Sequence, residues 1–427
     1  MHTIFALATA RGKSGVAVIR ISGPAAHEIG SGLAGSLPQA GQAGLRVLRN
    51  ATGAVLDQAL VLRFDEPRSF TGEDVVELQL HGSIAVIRAI EAAISGTGLA
   101  RMAEAGEFTR RALLNGNLDL AQVEGLSDLI AAETEAQRRQ AQELFSGAMR
   151  GFADMCRHDL VRATALIEAT IDFADEDVPV DVSPEVGALI DKVISRIAEQ
   201  LGGYQAAERI RSGFEVAIIG PPNAGKSTLI NKIAGRDIAI TSEFAGTTRD
   251  VLEVRIDLNG LPVTFLDTAG LRESDDVIER IGVARARSRA SGADLRILLI
   301  DGLQAQGDFD PGIAVDLRYM TKSDVTGSGI SAVNGDGIDQ LLADVSRILM
   351  DRVSGATLAS HERHRQALER AHALMMVGRS CFIEGSVGAE ILALHLRDAV
   401  GALDSLIGRV DVEAVLGEIF AQFCIGK

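Results

Sequence analysis

An apolar, strand-like run, Val216–Ile219, leads into Gly220-Pro221-Pro222-Asn223-Ala224-Gly225-Lys226-Ser227, and a helical pattern follows. The spacing G-x-x-x-x-G-K-S between a strand and a helix is that of a phosphate-binding loop. Its glycines let backbone N–H groups wrap phosphate oxygens at a helix N-terminus. Lys226 is set to reach the β- and γ-phosphates, and the Ser227 hydroxyl to ligate Mg²⁺. Four later stretches extend the pattern. "LPVTFLDTAG" puts Asp267 at a strand end, to act on Mg²⁺ through water, and Gly270 where a backbone N–H can meet a γ-phosphate. "AGTTRD" supplies Thr248 for the metal, "YMTKSD" sets Asp324 against the N1–H and amino group of guanine, and "ISAVNGDGIDQL" offers Ser331 and Ala332 to its carbonyl. In this order the motifs imply a domain that binds and hydrolyses GTP.

Two residues depart from the common pattern. Thr321 holds the Asn place of N-K-x-D, and its shorter side chain implies weaker nucleotide affinity or guanine selectivity. Leu271 follows D-x-x-G, where Ras-like switches carry the glutamine that orients the attacking water. Leucine cannot do so; either turnover is slow or another group serves. Asn223 suggests how, because an amide oxygen in the loop could help hold a monovalent cation beside the α- and β-phosphates, where an arginine finger would otherwise act.

These residues need a scaffold. From Phe214 to about Leu349 the chain alternates strand-like and helical units, and Leu295–Ile300 is the short apolar run of a buried strand. Before it, "GVAVIRIS" and "DQALVLRF" read as strands, "DVVELQLHG" as either strand or helix, and "IAVIRAIEAAI" as a helix, which together predict an α+β domain. From Leu118 to about Arg211 the pattern is helical, with "DLAQVEGLSDLIAAETEAQRRQAQELF" free of proline and "DFADEDVPVD" a solvated break. Residues 360–423 are helical again, so a βα domain interrupts a helical one assembled from both flanks.

Composition narrows the classes. At 427 residues, two or three domains are expected. A net charge of −16 argues against a general nucleic-acid binder, so any RNA would be held by a local patch or with a partner. There is no apolar run long enough for a membrane helix, and Ile4–Ala10 precedes Arg11 and Lys13, the reverse of a signal peptide. Cys156, Cys381 and Cys424 have no C-x-x-C spacing, which fits a reducing cytoplasm. The tail Cys424-Ile425-Gly426-Lys427 fits prenylation poorly, since Gly426 and Lys427 fill the second aliphatic and last places. That leaves an incidental terminal thiol or a functional one.

Over nearly its full length the chain resembles the MnmE (TrmE) family of tRNA-modification GTPases. The likeness rests on "GVAVIRISGP", "FTGEDVVELQLHG", "GEFTRRALLNGNLDLAQVEGLSDLI", "DFADED", the GTPase motifs, "DTAGLRESDDVIERIG" and the terminal "CIGK". It implies an α+β N-terminal domain for tetrahydrofolate binding and dimerisation (1–117), a discontinuous α-helical domain (118–212 and 351–427), and an inserted Ras-like α/β P-loop GTPase domain (213–350). It further implies a cytoplasmic homodimer that joins an FAD-dependent flavoprotein, MnmG, in a heterotetramer. Together they would install a (carboxy)methylaminomethyl group on C5 of the wobble uridine of certain tRNAs. The one-carbon donor would be 5,10-methylene- or 5-formyl-tetrahydrofolate, with FAD bound by the partner alone.

The resemblance also assigns residues. GTP contacts extend to Asn223, Ala224, Gly225, Thr228, Ser242, Thr247, Thr268, Ala269 and Lys322, beside those named above. K⁺ would take Asn223, Ser242, Phe244 and Thr247, and Mg²⁺ would take Ser227 and Thr248. The catalytic glutamate matches Glu279, which answers the problem set by Leu271. Folate contacts match Arg20, Glu77 and Lys427, while Asn117 stands where the family has a further lysine, so one cation is missing from that neighbourhood. Cys424 would lie near the one-carbon unit, as a catalytic or a positional residue. Two rivals share parts of the pattern. A K⁺-stimulated ribosome-assembly GTPase leaves the N-terminal domain and the CIGK tail without a reason. A nucleotide-gated scaffold would leave all tRNA chemistry to the flavoprotein.

Overall fold

The computed structural model describes residues 2–172, 182–236, 238–240, 253–267, 288–303, 312–384 and 388–409, together with Gly417, Phe420, Phe423 and Gly426. Two compact units result: Met1–Ser127 with Arg150–Asp154 and Asp404–Lys427, and Asp128–Met149 with Met155–Leu403.

In the first unit, strands β1 (Thr3–Leu7), β2 (Ala17–Ser22), β3 (Ala43–Arg49), β4 (Val55–Phe64), β5 (Val75–Leu80) and β6 (Ala100–Met102) form one sheet in the order β3-β4-β5-β2-β1-β6. Alternation decides its two faces. Ile19, Ile21, Val76, Leu78 and Leu80 point to helices α1 (Ala26–Ala34) and α2 (Ile84–Ser95), where Ile29, Ile87, Ile90 and Ile94 complete the core. Each such fully buried side chain contributes about 1.5–3 kcal/mol. The stretch "DVVELQLHG", open to either reading, is a strand because its apolar residues fall at period two. The other face carries Arg20 and Glu77, directly paired across β2 and β5. Over β1 this face is closed by Phe108 of α3 (Glu107–Leu114), which packs with Ile4, Ala6, Ala103 and Phe70.

A buried ionic cluster locks α3 to the sheet. Arg111 donates to Glu73 at 2.9 Å, to Glu107 at 3.0 Å and to the His2 carbonyl at 2.8 Å. Burial alone would raise the Glu107 pKa, but hydrogen bonds from Arg101, the Glu104 N–H and Arg111 hold it at about 2.

The proline-free run after Leu118 is two helices, α4 (Leu120–Ala131) and α5 (Glu135–Phe145). Thr134 ends the run: with Gln137 it forms a reciprocal capping box that starts α5. Helices α6 (Ala148–Asp172), α7 (Ser183–Gly202) and α8 (Tyr204–Ser212) follow; "DFADEDVPVD" lies outside the described residues from 173 on.

The second unit holds a sheet in the order β11-β10-β7-β9-β8, built from β7 (Phe214–Ile219), β8 (Glu253–Leu258), β9 (Leu261–Asp267), β10 (Leu295–Asp301) and β11 (Leu317–Thr321). All neighbours are parallel except β8 with β9. The central strands β7 and β10 are apolar apart from Glu215, Arg296 and Asp301, the near-continuous apolar run of strands covered on both faces. Helices α9 (Lys226–Ala234), α10 (Ser323–Thr326) and α11 (Ile338–Val353) belong to this domain; α12 (Glu362–Glu384) and α13 (Ala389–Leu406) return to the helical pattern.

The insert's two ends are tied together. Arg211 Nε donates to the Ser360 carbonyl at 2.9 Å, and Thr357 Oγ1 to the Gln200 carbonyl at 2.8 Å. A separate attachment joins the β8–β9 turn to α5: the Ala136 N–H donates to the Gly260 carbonyl at 3.1 Å, and Arg255 pairs with Glu133 at 2.9 Å.

Candidate nucleotide site and a second cavity

Strand β7 ends in the phosphate loop as the spacing predicts. Gly220 has φ +156°, and a Cβ there would stand 2.6 Å from the Leu299 carbonyl oxygen, so only glycine lets the loop leave β7 against β10. Asn223, exposed, takes a left-handed backbone at φ 64°, which asparagine tolerates better than most residues. Ala224 is buried, Gly225 caps α9, and Lys226, Ser227 and Thr228 form its first turn. Lys226 Nζ donates to the carbonyls of Gly220 at 2.9 Å and Pro221 at 3.0 Å, so the ammonium lies against the loop it must serve.

Asp267 closes β9 opposite Ile218 of β7. It is 5% exposed, and neither carboxylate oxygen has a hydrogen-bond partner among the described residues. A buried carboxylate left so is costly unless a cation or ordered water meets it. A hydroxyl at Ser227 with this carboxylate is a hard oxygen set, which fits Mg²⁺.

Beyond β11, Asp324 Oδ1 accepts from the buried Ser331 hydroxyl at 2.8 Å, and Ser331 Oγ accepts the Asn334 N–H at 3.2 Å. Ala332 follows, half-buried. Lys322, left-handed at φ 66°, pairs with Asp301 at 2.6 Å, and this hydrogen bond holds the Asp301 carboxyl below its ordinary range. Thr321 Oγ1 donates to the Ile300 carbonyl at 3.2 Å, tying β11 to β10.

The first unit contains a cavity of about 260 Å³, lined by Phe64, Arg68, Ser69, Phe70, Val75 and Glu77. Arg20 donates to Glu77 at 2.7 Å, and its guanidinium lies 5.3 Å from the Phe70 ring centre and 5.6 Å from that of Phe108. Asn117 Nδ2 donates to the carbonyls of Ser69 at 2.9 Å and Phe70 at 3.3 Å. The chain end comes to the neighbouring strand. Phe420 and Phe423 pack with Val123, and Gly426 is buried at φ +104°, where a Cβ would stand 2.0 Å from the Leu7 carbonyl oxygen. The next residue back in β1, Ala6, is paired with Arg20.

Two family models match this chain: the MnmE helical domain over residues 120–424, and the GTP-binding protein TrmE N-terminus over residues 3–117. The tRNA modification GTPases MnmE of Roseobacter denitrificans and of a Jannaschia species are 55% and 56% identical to it, each over 100% of both chains. The chain belongs to the MnmE (TrmE) family. A solved structure of an Aquifex aeolicus Era variant bound to GDP.AlF4- is 27% identical, covering 31% of this chain and 56% of that one at a TM-score of 0.27.

For an MnmE-family chain, then, the residues expected from sequence fall into three groups. Asn223, Ala224, Gly225, Lys226, Ser227 and Thr228 come together on one loop and helix start, and Asp324, Ser331 and Ala332 on another. Glu77 lines one cavity, and Arg20 and Asn117 hydrogen-bond to residues of its lining. Ser242, Phe244, Thr247, Thr248, Thr268, Ala269, Gly270, Leu271, Glu279, Cys424 and Lys427 lie outside the described residues. Arg68, Ser69 and Phe70, which line the cavity, were missed, although Phe70 opens the family stretch "FTGEDVVELQLHG". Among the described residues, no helix is long and apolar enough to cross a membrane.

Proposed function

We propose that this chain is a GTP-hydrolysing tRNA-modification enzyme that acts with an FAD-dependent flavoprotein on C5 of the wobble uridine, adding a (carboxy)methylaminomethyl group. The observation that carries this reading is the pairing, in one chain, of a phosphate loop and the buried Asp267, whose carboxylate has no hydrogen-bond partner among the described residues, with a cavity lined by Glu77, the partner of Arg20, next to the seat of Gly426. Lys226 neutralises phosphate charge, Ser227 and Thr248 hold Mg²⁺ with Asp267 acting through water, and Asp324 reads guanine. Asn223, with Ser242, Phe244 and Thr247, holds K⁺, and Glu279 orients the water that Leu271 cannot. In the cavity, the Glu77 carboxylate suits the amide and amino edge of a pterin, and Phe70 offers an aromatic wall. A bound tetrahydrofolate supplies the one-carbon unit. Lys427 is assigned to the folate and Cys424 to the reacting end. A homodimer is supported by Leu45 and Leu60, exposed cross-strand partners, and Val47, exposed beside them on the same face of the sheet.

Reconstitution tests the reading. Purified chain, flavoprotein, tRNA, folate, GTP, Mg²⁺ and K⁺ should yield the modified nucleoside on digestion and mass analysis, and omission of GTP or folate should abolish it. A complete mixture that leaves the wobble uridine unmodified overturns the proposal. GTP hydrolysis should be faster in K⁺ than in Na⁺, with Asn223→Ala removing most of the difference; equal rates in both salts would sink the cation assignment.

A further inference from the structure

The segment between β4 and β5 supplies Arg68, Ser69 and Phe70 to the cavity wall, yet it belongs to no strand or helix. Part of its backbone is paired within it, the Gly72 N–H donating to the Ser69 carbonyl at 3.3 Å and the Ser69 hydroxyl to the Glu73 carbonyl at 2.6 Å, and the remaining acceptor capacity needs partners from elsewhere. Three carbonyls in a row find them in the turn that follows α3. Asn117 Nδ2 serves Ser69 at 2.9 Å and Phe70 at 3.3 Å, and Asn115 Nδ2 serves Thr71 at 2.7 Å. Gly72 lets both amides come close, because a Cβ there would stand 3.1 Å from Asn115 Cβ and 3.3 Å from Asn117 Nδ2. One residue further on, Glu73 is gripped by Arg111 at 2.9 Å and by the Ser22 hydroxyl at 2.7 Å. The far end of the segment is thus clamped by buried charge, while the end that walls the cavity is tied to the residues after α3 by two exposed asparagine amides, besides the segment's own turn hydrogen bonds.

We propose that Asn117, aided by Asn115, is a positioning residue: its amide latches the Ser69–Phe70 backbone and so sets the Phe70 ring against Arg20 and the mouth of the cavity. The ligand's identity rests on the folate reading above; the latch does not. Asn117 acts through the wall, with its donor hydrogens spent on carbonyls, rather than as a ligand contact.

The test uses the full-length chain and two measurements: calorimetric binding of 5-formyl-tetrahydrofolate, and hydrogen exchange of the 65–75 segment. Asn117→Asp keeps size and shape but replaces the donor with a carboxylate facing two carbonyls, and Asn117→Ala removes it. Loss of such a bond corresponds to roughly a two- to tenfold change in an equilibrium. Both variants should weaken folate binding by about fivefold and speed exchange of the segment several-fold, with melting temperature and GTP hydrolysis unchanged. In a Phe70→Leu background, Asn117→Asp should have a much smaller effect on affinity, because the latch acts through that ring. Weakened affinity with unchanged exchange would make Asn117 a direct contact and overturn the latch, as would wild-type behaviour in both measurements. Faster exchange in a protein whose wild type binds no folate would support the latch and overturn the folate reading instead.

Discussion

The nucleotide site and the N-terminal cavity are built by opposite strategies. Six consecutive residues, Asn223 to Thr228, make most of the phosphate loop, and one strand and one helix suffice to aim them. The cavity is walled by Phe64 from β4, Val75 and Glu77 from β5 and a coil between those strands, and these walls are held in turn by Arg20 from β2 and Asn117 after α3. A short loop presents backbone N–H groups to any phosphate, so its chemistry is local. A shaped cavity needs walls from distant parts of the chain, and its precision depends on the contacts that hold them.

Substitutions should therefore separate the two regions. The largest effect is expected for Lys226→Ala: removing one member of a charge contact of this kind costs on the order of a hundredfold or more. GTP affinity measured by nucleotide titration should fall accordingly while folate affinity stays at the wild-type value. Loss of both would mean that the regions are not independent.

The next effect is on stability. Glu107 carries a pKa of about 2 against an ordinary value of 4.5. Its folded pKa is depressed, so its contribution is full above the unfolded value and is lost as pH falls from about 4.5 through about 2. With about 1.4 kcal/mol per pKa unit, this amounts to about 3 kcal/mol. Glu107→Gln should lower the neutral-pH stability of the first unit by an amount of this order and flatten its acid dependence over that window, as followed by denaturant titration at several pH values. An unchanged acid profile would show that the Arg101–Glu107–Arg111 cluster is not what couples pH to this unit.

A smaller and more selective loss is expected at the chain end. Gly426→Ala puts a methyl group into the Leu7 carbonyl and asks alanine for a left-handed backbone, so the tail should leave its seat. tRNA modification should drop by about tenfold or more, the scale of a misplaced reacting group, with GTP hydrolysis retained. Normal modification would mean that the seat has no part in the chemistry.

The same contrast explains what could be read from sequence. The phosphate loop was legible because its residues are contiguous and its flanking strand and helix have clear periodicity. Leu295–Ile300 was legible as a buried strand for the same reason. Arg20 and Glu77 look like ordinary strand charges until the β2–β5 register pairs them, and only family resemblance picked them out. Ser69 and Phe70 sit in aperiodic coil, where no pattern marks a cavity wall. Asn117 in the sequence marks only the absence of a cation; its hydrogen bonds to the Ser69 and Phe70 carbonyls depend on the fold. The break at Thr134 was there to be found as T-x-x-Q, but the apolar pattern on either side hid it.

One consequence of the insert's attachment is mechanical. Strands β7 and β9 lie side by side in a continuous parallel ladder from Phe214–Val263 to Ile218–Asp267. At one end β7 is joined to α8 through Gly213, and β9 begins at the turn bonded to Ala136 of α5. At the other end they deliver Gly220 and Asp267. Neither strand can slide past the other without breaking the ladder, so the pair behaves as a stiff push-rod. A shift imposed on Asp267 and the phosphate loop arrives at the end of α8 and the start of α5 with little lost to bending on the way.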